Sequence, residues 1–151
     1  MKAQGGITRD FAATTFVVWR RKVLLHWHEK HGMWLPPGGH IEPNELPDDA
    51  AVREVLEEAG VPIRLVGERA LALAEPRQLI RPRGVQVETI EPGHEHIDLI
   101  YFGRPVAGYD GTLAANEGGV GWYDEEMLAG LDVTEEISCW LALALAELGD
   151  A

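Results

Sequence analysis

Three glutamates crowd one short stretch of this chain. Within PDDAAVREVLEEA, residues 47 to 59, Glu54, Glu57 and Glu58 are spaced i, i+3 and i+4, which places them on one helix face at 3.6 residues per turn. Carboxylates so arranged repel each other, and nothing in folding alone rewards them. A divalent cation with hard oxygen ligands makes the cluster favourable, so the fold has to present this face to one. The helix is well marked: Pro47 suits the first helical position, Asp48 and Asp49 lie where the helix dipole favours negative charge, and Gly60 with Pro62 marks the end. Ala51, Val55 and Ala59 form an apolar stripe distinct from the carboxylate face.

Strand signals surround this helix. FAATTFVVW at 11 to 19 and VLLHWH at 23 to 28 read as a hairpin turned at Arg20, Arg21 and Lys22. In its second arm Val23, Leu25 and Trp27 alternate with Leu24, His26 and His28, which predicts one apolar face and one that turns polar towards its end. The segment HGMWLPPGGHIEP at 31 to 43 predicts a brief strand and then a loop of special backbone geometry. Beyond the helix, 63 to 76 reads as a strand, whole or broken at Gly67, and VQVETI and HIDLIYF read as two more. A short helix over DEEMLAGL and a last one from about Val133 to Leu148 close the chain, the latter capped by Asp132 or Thr134. Its apolar face is Ile137, Trp140, Leu141, Ala144, Leu145 and Leu148, and the sequence around Cys139 reads as its buried side.

A chain of 151 residues, 46% hydrophobic and without internal repeat or linker, predicts one domain spanning 1 to 151. Its net charge of -12 argues against a nucleic-acid or anionic-membrane surface, both of which need positive fields. An anionic small molecule stays open if metal ions shield the charge. A lone cysteine, no signal-peptide pattern near the N-terminus and no apolar run long enough to span a bilayer give a cytoplasmic protein as the expectation.

The full spacing around the glutamates is more specific than their helix face. Gly39, five residues, Glu45, seven residues, and then Arg53, Glu54, Val55, Leu56, Glu57, Glu58, Ala59, Gly60 and Val61 resembles the box of the Nudix (MutT-like) pyrophosphohydrolases and matches it at every specified position. The hairpin before the box, the WLPPGGHIEP lead-in and the later NEGGVGWY follow the family's order. The resemblance implies an α/β fold, an α/β/α sandwich with a mixed sheet flanked by helices. It also implies Mg2+-dependent hydrolysis, with Mn2+ able to substitute, of a nucleoside diphosphate linked to another moiety, such as a nucleoside triphosphate or an ADP-sugar. Phosphoryl transfer needs phosphate charge neutralised and a water aligned, and a carboxylate centre holding Mg2+ supplies both.

Carried over by position, the resemblance makes Glu54, Glu57, Glu58 and the backbone carbonyl of Gly38 the metal ligands. Arg53 orients the carboxylates, and Glu45 helps fix the box loop. Glu117, on a Gly-rich loop, is the expected general base or a further ligand, with Glu54 or Glu57 as the alternative base. Outside the box, His40, Trp34 and Arg81 are candidate substrate contacts; Arg81 lies with Arg77 and Arg83 in the densest positive stretch. Trp34 and Trp27 could stack on a base, though a Trp beside strands is more often core, and His40 reads equally as a solvated side chain. His94, His96 and Asp98 put three ligand-type side chains on one strand face, which the polar end of an edge strand explains as readily as a second metal site. A module that binds a nucleotide without turning it over is the competing reading of the whole chain, and a homodimer is permitted.

Overall fold

Both faces of the first hairpin are apolar, and that fact organises the molecule. In the computed structural model, which describes residues 6–114 and 119–149, β1 (Thr8–Trp19) and β2 (Lys22–His28) pair antiparallel with Val18 opposite Val23 and Trp19 opposite Lys22. Their two-residue turn holds Arg20 and Arg21 at φ of 50° and 63°. Such left-handed pairs match the twist of the flanking strands and are usually left to Asn or Gly. Here the Arg20 guanidinium lies 4.6 Å over the Trp19 ring.

The short β3 (Met33–Leu35) extends the sheet beyond β2, and β4 (Gly38–His40) runs antiparallel to β1. The carboxylate helix α1 (Pro47–Ala59) has Pro at its first position and ends at Gly60, which adopts φ 71° and donates its N–H to the Leu56 carbonyl. After β5 (Ile63–Val66) come β6 (Gly84–Glu91), β7 (His94–Pro105), β8 (Gly121–Tyr123), α2 (Glu125–Ala129) and α3 (Glu135–Leu148). The main path through the sheet is β3-β2-β1-β7-β5, with β4 on β1, β6 on β7 and β8 on β2. β1 and β7 are parallel and all other pairs antiparallel, so the sheet is mixed.

Alternate residues of β1 and β2 face opposite helices. Phe16, Val18, Val23 and Leu25 pack with Ile100 and Phe102 against Ile137, Leu141, Ala144 and Leu148 of α3, while Val17 and Leu24 pack against Val55 and Ala59 of α1. The result is the α/β/α sandwich expected from the sequence. The strand expected over 63 to 76 stops at Val66, the broken alternative. A Cβ at Gly67 would stand 2.9 Å from Ile80, so the chain passes too close to a neighbouring segment to continue as a strand with side chains. Thr134, not Asp132, caps α3, its hydroxyl accepting from Ile137 N–H at 3.2 Å.

One reading of the sequence is corrected here. Cys139 is exposed, because α3 buries only the stripe Ile137, Leu141, Ala144 and Leu148, and Cys139 lies off it although its neighbours are apolar. Among the described residues no helix is long and apolar enough to cross a membrane.

Candidate active site

Arg53 is the hub of the carboxylate face. Its Nε–H and one Nη2–H donate to the two carboxylate oxygens of Glu45 at 2.7 and 2.9 Å, a bidentate fork. Nη1 donates to Glu54 at 2.9 Å and to Glu57 at 3.2 Å, and the second Nη2–H reaches the His40 carbonyl at 3.0 Å. All five guanidinium donors are engaged, which is more than a lysine ammonium offers. The bonds tie the loop before the helix (Glu45), the helix (Glu54, Glu57) and β4 (His40) into one frame. The arginine holds the Glu45 carboxyl below the ordinary carboxylate range, and the Glu42 backbone N–H helps by donating to it at 3.1 Å.

The three glutamates of the face are not equivalent. Glu54 is only 14% exposed at its side chain, and burial, opposed by the Arg53 bond and reinforced by the adjoining Glu58 carboxyl, pushes its pKa up. Glu57 is 59% exposed and, Arg53 apart, open to solvent. The Glu58 carboxylate approaches His26 Nε2 at 3.1 Å. His26 therefore belongs to the site, although nothing in the local sequence sets it apart from its neighbours. The signal was its register: it follows Leu24 by two positions, so it shares the β2 face that packs on α1.

The glycines before the helix separate this face from a cavity of about 390 Å³, which both Gly38 and Gly39 line. A Cβ at Gly39 would stand 2.5 Å from the Glu54 carboxyl carbon, and one at Gly38 2.6 Å from the Thr14 hydroxyl, so the backbone runs against the site at the closest range a chain allows. The cavity wall carries His28 and His31, stacked at 4.4 Å between ring centroids, and a second acidic group of Glu88, Asp98 and Glu136. Asp98 is 3% exposed and accepts from the Thr14 hydroxyl at 2.9 Å. Burial, with the Glu88 charge next, pushes its pKa up to about 8, so at neutral pH it stands largely protonated.

Of the remaining described candidates, His40 lines the cavity with His96, and Trp34 and Arg81 do not. The Trp34 ring meets Trp27 and Tyr123 edge-on, at 5.5 and 5.4 Å between centroids, in a cluster against the core. Arg81 is exposed, and among the described residues those lining the cavity include neither it nor Trp34. Arg83 pairs with Glu147 and lies over the Phe102 ring. The His40 side chain turns from the box towards His96, with 2.9 Å between their Nε2 atoms. Glu117, expected as general base or ligand, lies outside the described residues.

Glu54, Glu57 and Glu58 offer carboxylate oxygens alone, and burial of Glu54 beside Glu58 leaves negative charge that a cation would offset. That donor set fits Mg2+, a hard ion with a preference for oxygen.

Comparison with known proteins bears on this arrangement. The family model described as the NUDIX domain matches residues 8–144. The crystal structure of a NUDIX family hydrolase from Clostridium perfringens is 33% identical and superposes with a TM-score of 0.80, covering 94% of this chain and 99% of that one. A MutT NUDIX hydrolase from Burkholderia pseudomallei, at 21% identity and a TM-score of 0.63 over 89% of this chain and 97% of that one, shares the fold. Diphosphoinositol polyphosphate phosphohydrolase 3-alpha of Mus musculus is 56% identical over 45 residues, 30% of this chain and 26% of that protein. The match thus spans about a quarter of the length of that curated relative.

Proposed function

Because this chain belongs to the NUDIX family, matched over residues 8–144, we propose that it is a Mg2+-dependent pyrophosphohydrolase acting on a nucleoside diphosphate linked to another moiety. The observation that carries the reading is the Arg53 frame, in which five hydrogen bonds fix two helix carboxylates beside the glycines that wall the cavity.

Glu54, Glu57 and Glu58 would hold the metal, with the carbonyl of Gly38 as a further oxygen. When bound, Mg2+ supplies neutralisation of the diphosphate charge and acidifies water for attack on phosphorus. Arg53 keeps the carboxylates in register and leaves no donor for substrate. Glu57, the most open of the three, or Glu54 takes the proton of the attacking water unless Glu117 does so. Gly38 and Gly39 let the diphosphate approach the backbone without a Cβ in the way.

The chemistry of the wall narrows the substrate. The mouse relative's name concerns a diphosphoinositol polyphosphate, a substrate with many phosphates. In the cavity of this chain, however, Glu88 and Glu136 would face such a ligand, and like charges there disfavour additional phosphates. Histidines beside acidic acceptors suit a single diphosphate with a hydroxyl- or amine-bearing moiety.

The test is incubation with Mg2+ and a panel of nucleoside triphosphates, ADP-sugars and a diphosphoinositol polyphosphate, followed by phosphorus NMR in ¹⁸O-water. Turnover of a nucleotide that is lost in both Glu57→Gln and Glu58→Gln supports the proposal. Binding without turnover in the parent would establish the silent nucleotide-binding module instead, and preference for the inositol compound would overturn the substrate class.

A further inference from the structure

A second group of ligand-type side chains lies outside the glutamate helix. His94 and His96 alternate with Glu95 along β7 and so point to one face, while Glu95 turns away to pair with Arg9 at 2.8 Å. Parallel pairing places Asp10 of β1 opposite His96, and antiparallel pairing places His40 of β4 opposite Ala12, two positions further along β1. Three strands therefore deliver one carboxylate and three imidazoles to the same spot, where one ligand atom from each lies within 4.8 Å of all the others. Asp98, which the His-x-His-x-Asp spacing offered as the third ligand, is occupied by Thr14, and Asp10 and His40 stand in its stead.

Three of the six distances within the group lie close to those of a coordination shell. His40 Nε2 is 2.9 Å from His96 Nε2 and 3.8 Å from Asp10 Oδ2, and His94 Nε2 is 3.3 Å from the same Asp10 oxygen. Two ligand atoms bound to one tetrahedral Zn2+ at its usual bond lengths stand ~3.3 Å apart.

The outer contact of His94 points the same way. His94 Nδ1 is hydrogen-bonded to the Thr8 hydroxyl at 2.9 Å, and that hydroxyl also reaches the Gly93 carbonyl at 3.2 Å. That leaves His94 Nε2, directed at the Asp10 carboxylate, as the ring nitrogen available to an ion. An imidazole fixed by a hydrogen bond at its far nitrogen is the usual support of a metal-bound histidine.

We propose that Asp10, His40, His94 and His96 form a binding site for a zinc-type divalent cation, separate from the glutamate centre and selective against Mg2+. Imidazole suits Zn2+ and Co2+, whereas Mg2+ takes oxygen ligands, so the two centres sort metals by donor chemistry. Asp10 and His40 are more than half exposed, which gives an ion a path in. Bound there, it joins β1, β4 and β7 at the end of the sheet next to the box glycines.

The proposal is tested by titrating the full chain with Co2+ alone, read by visible absorption, and with Zn2+ alone, read by calorimetry. Tetrahedral Co2+ absorbs far more strongly than octahedral Co2+, so the band reports geometry as well as binding. The expected result is an intense band saturating at one ion per chain and displaced by Zn2+. It should be abolished in His94→Ala/His96→Ala and kept in Glu54→Gln/Glu58→Gln. Thr8→Val, which retains all four ligands and is close in shape, should weaken Zn2+ binding by about tenfold. A parent without a saturating tetrahedral band, a band that survives the double histidine variant, or one lost with the box glutamates would overturn it.

Discussion

Five N–H groups leave Arg53 in one plane, and five oxygens from Glu45, Glu54, Glu57 and His40 receive them. Lysine at this position keeps the charge but has three donors around a point and cannot bridge Glu45 and Glu57 together. We expect Arg53→Lys to lower kcat by about 100-fold, or roughly 2.7 kcal/mol in the barrier, while metal affinity changes less; steady-state kinetics over a Mg2+ series checks both. Unchanged turnover would remove Arg53 from the site. A second consequence belongs to Asp98. Its folded pKa, raised to about 8, lies above the unfolded value of 3.8, so the unfolded chain gives up this proton first. Stability from this residue is therefore highest below the unfolded pKa, declines as pH rises through the interval, and levels off above about 8. Asp98→Asn cannot ionise and should melt higher than the parent at about pH 8 but close to it at about pH 4, as thermal melts at the two pH values would show. The box side chains were legible because their spacing is local to one helix. The state of Asp98 was not, since it is set first by burial and then by Glu88, with Glu136 contributing less, and only the folded sheet and α3 bring these about.

The helix α1 reads directly from its own residues: Pro47 starts it, Gly60 stops it, and Ala50, Ala51, Val55 and Ala59 are its buried side. What its sequence does not reveal is how closely β4 passes. Gly39→Ala places a methyl group against the Glu54 carboxylate, which the Arg53 bond keeps from swinging clear. We expect the variant to lose most of its turnover, at least about tenfold, with a stability change within about 1 kcal/mol, because only the end of one side chain has to move. Activity assays alongside denaturant melts separate the two effects, and full activity would show that Glu54 need not stay where it is. Elements that depend on distant partners were read less well. β5 ends at Val66 because the path of the chain past Ile80 decides it, and Cys139 is exposed because the docking of α3, not the apolarity of its neighbours, selects the buried stripe.

For the whole molecule, an excess of negative charge and a helix face of carboxylates make the folded state sensitive to cations. Mg2+ that binds only the native chain should raise its stability by about 2.7 kcal/mol at a hundredfold excess over Kd. Glu54→Gln/Glu58→Gln should abolish that response while melting above the parent when Mg2+ is withheld, since the repulsion between the two carboxylates is gone; differential scanning calorimetry with and without the ion checks both. The sandwich and its mixed sheet could be foreseen from the family-like spacing. The strand order could not, because the longest pairing, Thr8 to Val17 along His94 to Gly103, joins segments that share no local signal. That pairing also sets a timetable for biosynthesis. A ribosome releases the first hairpin and the entire glutamate helix well before it has made the partner for the other edge of β1, more than eighty residues downstream. Until then the nascent chain carries an open strand edge of ten residues, a place where a neighbouring chain can pair in error. Translation speed through the intervening segment, rather than any property of the finished fold, governs how long that hazard lasts.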